Sequence, residues 1–230
     1  MSTLTIPSPD GAFSAYVARP AIEPAPVIVL IHEIFGVNAD LRLTADELAA
    51  QGFIAVCPGL FWRQAADVDL DPSAAGAFER GVDLYQAFDF DKGVIDIGAT
   101  LEAVKTLPGS NGHSGLMGFC MGGLLTFLAA ARIGPEAAVA YYGGGTEEHL
   151  AEAAAVQTPM LMHLGEDDEY ISATARGEIT TAFAGNPHVE IHTYPGQGHA
   201  FARHQGARYD AEAALLANRR TMAFFRRLLA

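Results

Sequence analysis

Gly118-Phe119-Cys120-Met121-Gly122-Gly123 is the stretch on which the fold turns. It joins an apolar, strand-like run at 116–119 to a helix-like run at 124–131, with Cys120 at the junction. A strand that turns abruptly into a helix lifts the junction side chain above the sheet. It also forces that residue into backbone space that L-residues resist. Small residues two before and two after let the backbones pass, and Gly118 and Gly122 meet that need. The pattern is a G-x-S-x-G nucleophile elbow with cysteine in place of serine. A glycine-rich turn that merely packs a helix on a strand would share the hexapeptide, so the rest of the chain must discriminate.

Outward from the elbow, short apolar runs alternate with helical patterns. Strands are expected at 12–18, 27–31, 53–57, 137–142, 158–164 and 189–194, and helices at 41–50, 91–107, 173–183 and 210–229. Residues 67–81, rich in Asp and Ala, read as a long excursion over the sheet. Pro108-Gly109-Ser110-Asn111-Gly112 reads as a turn cluster. The final helix carries acids early and Arg219, Arg220, Arg226 and Arg227 late, as the helix dipole favours. Such alternation implies an α/β fold with a mostly parallel central sheet covered by helices on both faces. No repeat, low-complexity tract or linker divides the 230 residues, so residues 1–230 are expected to form one domain.

Bulk properties narrow the class. Half of the residues are apolar, enough for a large core. The net charge of −13 disfavours nucleic acid and anionic membranes, which reward clustered Lys and Arg. No apolar run approaches the roughly 18 residues of a membrane span. The polar stretch 1–9 lacks a basic region followed by an apolar one, so no signal peptide is expected and a cytoplasmic location is. Two cysteines, Cys57 and Cys120, make no disulfide framework, and neither sits in a zinc or redox spacing. No metal or other cofactor is expected. A monomer is the expectation, without a sequence feature that decides it.

A free thiol is mostly protonated at neutral pH, so Cys120 needs a base. Reactive groups in parallel α/β sheets gather at the carboxyl ends of strands. Gly196-Gln197-Gly198-His199-Ala200-Phe201 follows such a strand and offers His199 on a glycine-flexed loop. His32 and His163 belong to apolar strands and read as core or near-site residues. His188 and His192 lack the ligand company of a metal site, and His113, His149 and His204 lie in polar stretches. Gly165-Glu166-Asp167-Asp168-Glu169-Tyr170-Ile171, after the 158–164 strand, offers the acid: Asp168, with Asp167 as the alternative. The order nucleophile, acid, histidine is that of the α/β-hydrolase fold. Oxyanion donors are expected from the backbone N–H of Met121 and from Ile34, in the loop His32-Glu33-Ile34-Phe35-Gly36.

With these pieces assembled, the chain resembles the dienelactone hydrolase family, the carboxymethylenebutenolidases of bacterial aromatic degradation. The likeness rests on Glu33-Ile34-Phe35-Gly36-Val37-Asn38, Tyr85-Gln86-Ala87-Phe88-Asp89, the elbow, Ala140-Tyr141-Tyr142-Gly143 and Gly198-His199-Ala200-Phe201-Ala202-Arg203. The resemblance implies a Cys120–His199–Asp168 triad. It implies that Glu33 holds the resting thiol and takes its proton when substrate arrives. The substrate it implies is a small carboxylate-bearing lactone, opened to maleylacetate. Arg203 would grip the carboxylate. Phe78 stands where the family has a second arginine, leaving Arg80 as the nearest cation. Phe35, Tyr85 and Tyr141 are expected to line the pocket. The rival readings are a carboxylesterase or thioesterase with another substrate, a thiol redox protein, and a binding module on a degenerate hydrolase fold.

Overall fold

The computed structural model describes residues 2–204 and 206–229. Met1, Gln205 and Ala230 lie outside the described residues, and with them the ends of the 1–9 and 1–230 readings. The chain forms two compact units, residues 1–115 and 116–230. The boundary falls inside a strand and not in a linker, which is why no composition shift marks it.

In the first unit the strands are β1 (Ser2–Ser8), β2 (Gly11–Ala18), β3 (Ala25–Ile31) and β4 (Ile54–Pro58), in the order β1-β2-β4-β3. β1 pairs antiparallel with β2, and β2 with β4, whereas β3 and β4 run parallel with Val27 opposite Ile54. β3 and β4 are buried almost throughout, which is why they read as unbroken apolar runs. Helix α1 (Ala39–Ala50) starts at Asn38, whose side chain accepts the Leu41 N–H at 3.0 Å. β1 is not among the strands expected: it is mostly polar, and of its apolar residues Leu4 is only partly covered while Ile6 is buried.

The 67–81 excursion needs correction, since helix α2 (Ala77–Gln86) begins within it. Ala77, Gly81 and Leu84 form its buried face at helical spacing. Two of those three are small, so the stripe is faint in the sequence. Helix α3 (Phe90–Lys105) follows, capped by Asp89. β5 (Ser110–Phe119) starts earlier than expected, inside the stretch read as a turn. Its first four residues are polar and largely exposed, so only the buried end carries a strand signature.

The second unit adds α4 (Met121–Arg132), β6 (Ala138–Tyr141), β7 (Met160–Gly165), α5 (Ala173–Ala182), β8 (Val189–Tyr194) and α6 (Ala211–Leu229). Its strands follow the order β5-β6-β7-β8, all parallel. Short 3-10 turns between Thr146 and Ala155, unassigned from sequence, link β6 to β7. Residues Met121 to Ala130 of α4 are all buried. The helix reaches its strands through glycines: a Cβ on Gly123 would lie 2.5 Å from the Tyr141 carbonyl oxygen and 2.9 Å from the Gly143 Cα. A Cβ on Gly118 would run into the Gly122 carbonyl. The parallel strands with intervening helices are those expected for the α/β-hydrolase class.

Candidate active site

Cys120 sits between β5 and α4 with φ 54° and ψ −116°, in the backbone region that the elbow pattern demands. Its N–H donates to the Tyr141 carbonyl at 3.0 Å, and its carbonyl accepts the Gly123 N–H at 2.8 Å. The residue is the N-cap of α4, yet its thiol makes no capping hydrogen bond. The half-buried sulfur is therefore available for chemistry, beside a helix end that favours negative charge. Met121 is the first residue of α4, where a helix leaves its N–H without an intrahelical acceptor.

Asp168 and His199 come together at the carboxyl ends of β7 and β8. His199 Nδ1 lies 2.9 Å from Asp168 Oδ2 and 3.2 Å from Oδ1. Asp168 Oδ1 also accepts the backbone N–H groups of Tyr170 (2.8 Å) and Ile171 (3.2 Å), which fix the carboxylate's direction. An ionised carboxylate only accepts, so Nδ1 carries a proton. Asp167 is exposed, and its N–H donates to the Gln197 carbonyl at 2.9 Å. Of the two acids considered, Asp168 is the one that meets the imidazole.

The His199 ring is 7% exposed and stands edge-on to two tyrosines, Tyr142 (5.1 Å between centroids) and Tyr170 (4.8 Å). Nε2 is buried and makes no hydrogen bond of regular length and angle. The Cys120 sulfur acts on the ring chiefly as a charge. Burial disfavours the imidazolium, but the Cys120 charge, the hydrogen bond with Asp168 and a weaker one with Cys120 outweigh it. Together they lift His199 from 6.5 to about 10. Among the described residues of this unit, three that are not glycine have positive φ: Cys120 (54°), Tyr142 (38°) and Ala200 (60°). Each such conformation costs about 1–3 kcal/mol and persists because its surroundings impose it.

Tyr141, expected in the pocket, is instead fully enclosed. Its hydroxyl reaches Asn218 Oδ1 (2.9 Å) and Thr221 Oγ1 (2.7 Å) on α6. It is Tyr142, one residue further on, that turns to His199. The pleat carries Tyr141 to the α6 side, and the positive φ at Tyr142 redirects the chain. A tyrosine directly before Gly143-Gly144-Gly145 at a strand end was the available signal. Tyr170, half-exposed against the imidazole, was also missed. Arg203 is partly buried at the end of the histidine loop, its guanidinium lying over Gly206.

The remaining candidates belong to the first unit. Glu33, Ile34 and Phe35 are all buried in the loop after β3. His32 fixes that loop: Nε2 accepts the Leu60 N–H (3.1 Å), so Nδ1 donates to the Glu33 carbonyl (2.6 Å). Burial keeps this ring neutral, with its pKa depressed to about 4. Gly36 (φ 72°) lies against the Val68 carbonyl, and the Val37 N–H donates to that oxygen at 3.0 Å. α2 crosses the loop through Gly81, where a Cβ would come within 3.0 Å of the Ile34 carbonyl oxygen. On that helix Arg80 and Phe78 are exposed, and Tyr85 packs edge-on to Phe90 at 5.6 Å. The second cysteine, Cys57, is fully buried in β4, and burial pushes its thiol far up.

Among the described residues no group of three or more His, Cys, Asp or Glu could hold a metal ion, and no helix is long and apolar enough to cross a membrane. The arrangement that remains is an imidazole joined to a carboxylate, with the Cys120 sulfur near enough to bear on the ring. It can carry a proton away from a thiol and return it.

The dienelactone hydrolase family model matches residues 13–229. A carboxymethylenebutenolidase of Pseudomonas putida is 45% identical over 222 residues, covering 96% of this chain and 94% of that protein. Carboxymethylenebutenolidase 1 of Cupriavidus pinatubonensis is 37% identical, over 92% and 90% of the two chains. The crystal structure of a protein assigned as a dienelactone hydrolase from Klebsiella pneumoniae superposes with a TM-score of 0.86 at 28% identity, covering 98% of this chain and 97% of its own. An elbow cysteine and a buried His–Asp pair, within a match of nearly full length, lead to one conclusion: the chain belongs to the dienelactone hydrolase family.

Proposed function

We propose that this protein opens a small, carboxylate-bearing unsaturated lactone, a dienelactone, to maleylacetate through an acyl-enzyme on Cys120. The observation that carries the reading is His199, held by Asp168 at 2.9 Å, with the Cys120 sulfur among the groups that raise the ring's proton affinity. Relatives named carboxymethylenebutenolidase support the substrate class.

In the proposed cycle the thiolate attacks the lactone carbonyl, and the resulting oxyanion is met by the N–H groups of Met121 and Ile34. Collapse expels the ring oxygen as an enolate, leaving a thioester on Cys120. His199 then takes a proton from water; the hydroxide attacks the thioester, the thiolate departs as the acid is released, and the proton held by His199 passes to the enolate, which becomes the ketone of maleylacetate. An enolate leaves readily without protonation, which suits a sulfur nucleophile. Glu33 is proposed as the resting partner of the thiol, a role that rests on the family resemblance. Arg203 is proposed to hold the substrate carboxylate, with Phe35 and Tyr85 as apolar lining. The same reading has the enzyme act as a cytoplasmic monomer without a cofactor, in aromatic catabolism.

One observation favours a second reading within the hydrolases. Phe78 replaces a family arginine and is 49% exposed on α2, with Arg80 exposed nearby. A carboxylesterase or thioesterase acting on a less anionic substrate would suit that helix.

Quenched-flow turnover of dienelactone followed by intact-mass analysis tests the proposal. A transient adduct of substrate mass on the peptide containing Cys120 is expected. In Cys120→Ala the adduct disappears and hydrolysis falls on the order of 10⁴-fold or more. Turnover by that variant within tenfold of the parent would refute the nucleophile assignment. Faster turnover of a neutral aryl ester than of dienelactone would select the second reading.

A further inference from the structure

We propose that Glu169 and Arg208 form a brace that positions His199, so that adjacent carboxylates, Asp168 and Glu169, hold one histidine by its ring and by its backbone. The inference rests on the proposed function and deepens it, since the brace matters only if His199 exchanges a proton with Cys120.

His199 lies on a loop whose backbone is easily deformed, with Gly196 at φ 74°, Gly198 directly before it and Ala200 at φ 60° after it. Backbone bonds at Gln197, Ala200 and Phe201 tie the loop on either side, and the ring bond to Asp168 leaves the His199 N–H itself to be anchored. Glu169 Oε2 supplies the anchor. It accepts the His199 N–H at 3.3 Å and, on the same oxygen, Arg208 Nη1 at 2.5 Å. The guanidinium lies along the loop backbone: a Cβ on Gly198 would sit 2.9 Å from Arg208 Nη1. Gly198 is thus the residue that lets the arginine close over the loop. A second stitch flanks the first, where the Asp167 N–H donates to the Gln197 carbonyl.

The side chains of Glu169 and Arg208 are 36% and 52% exposed, so an ion pair here contributes little to global stability. Its effect is geometric. Asp168 Oδ2 and the Cys120 sulfur both act on this one imidazole, and a shift of the loop moves the ring relative to both. Proton transfer is steep in such distances, and a misplacement of about 1 Å can cost 10²-fold.

The test uses the full chain in four variants, Glu169→Ala, Arg208→Met, Glu169→Gln and His199→Gln, each checked for native circular dichroism. Two quantities are read: kcat and KM for an aryl ester, and the rate of Cys120 alkylation by iodoacetamide across pH 5–9. Glu169→Ala and Arg208→Met are expected to lower kcat by about tenfold or more with KM within about twofold. Alkylation at neutral pH should slow in parallel. Glu169→Gln keeps an oxygen for the His199 N–H and should recover most of kcat. If Glu169→Ala and Arg208→Met keep the parental kcat and alkylation profile while His199→Gln alters both, the brace is refuted and the Cys–His reading stands. If His199→Gln itself leaves alkylation unchanged, the reading beneath the brace falls as well.

Discussion

His163 and His199 are both buried in the second unit, 0% and 7% exposed, and both touch tyrosine rings, yet they are driven in opposite directions. His163, in β7, sees hydroxyls: Nδ1 engages Tyr194 Oη at 2.7 Å and Nε2 engages Thr221 Oγ1 at 3.0 Å. Burial, helped by the charges of His192 and Arg220, keeps its ring neutral far below the ordinary range. His199 sees a carboxylate and a sulfur, which hold a proton on it up to about 10 despite the same desolvation. Burial alone therefore does not make a histidine reactive or inert. The charge of its partners decides, because in a poorly solvated site an anion a few ångströms away outweighs the loss of water.

The sharpest break in this comparison is to replace each ring by glutamine. His199→Gln is expected to lower kcat/KM by roughly 10³-fold or more, because the proton relay is lost while folding persists. His163→Gln should leave kcat/KM within about threefold but lower the unfolding free energy by about 1–3 kcal/mol, since Tyr194 and Thr221 lose well-placed partners. Urea titration and steady-state rates on both proteins decide it. Equal rate losses would mean that the two histidines belong to one functional network.

The next effect is on stability against pH. His32 and His163 are depressed in the fold, so their contribution is present above 6.5, the unfolded value. For His32 it is lost as pH falls through about 4, amounting to about 3 kcal/mol. His199 has the opposite sign: its contribution is full below 6.5 and disappears as pH rises through about 10. Urea midpoints measured from pH 4 to 10 should decline at both ends, and His199→Gln should flatten the alkaline decline alone. An alkaline limb unchanged in that variant would contradict the raised imidazolium.

The smallest effect separates two arginines. Arg203→Ala is expected to raise KM for a carboxylate-bearing lactone by about tenfold and for a neutral ester by less than about twofold. Arg80→Ala, on the exposed face of α2, should shift either KM by less than about twofold. A larger loss in Arg80→Ala on the anionic substrate would show that this arginine substitutes for the one absent at Phe78.

The contrast also explains what could be read in the sequence. The elbow, the buried strands and the two loops after β7 and β8 were legible because each couples an apolar run to glycine or acid at a fixed offset. That coupling follows from strand geometry. Asp168 was separable from Asp167 only by its direction, which depends on the N–H groups of Tyr170 and Ile171. Tyr141 and Tyr142 exchanged roles because pleat parity at a strand's last residue is set by one dihedral angle, and no composition records it. α2 was hidden because a face built of Ala77, Gly81 and Leu84 has little hydrophobic contrast. The Glu169–Arg208 pair joins residues 39 apart in the chain, and either alone reads as an ordinary surface charge.

Cys57 lies sealed in β4 with its thiol protonated, and Cys120 stands half-open at the elbow. A folded sample should consume a single equivalent of a thiol-specific reagent and a second only after denaturation. The ratio of the two gives the proportion of competent molecules in any preparation before a substrate has been chosen.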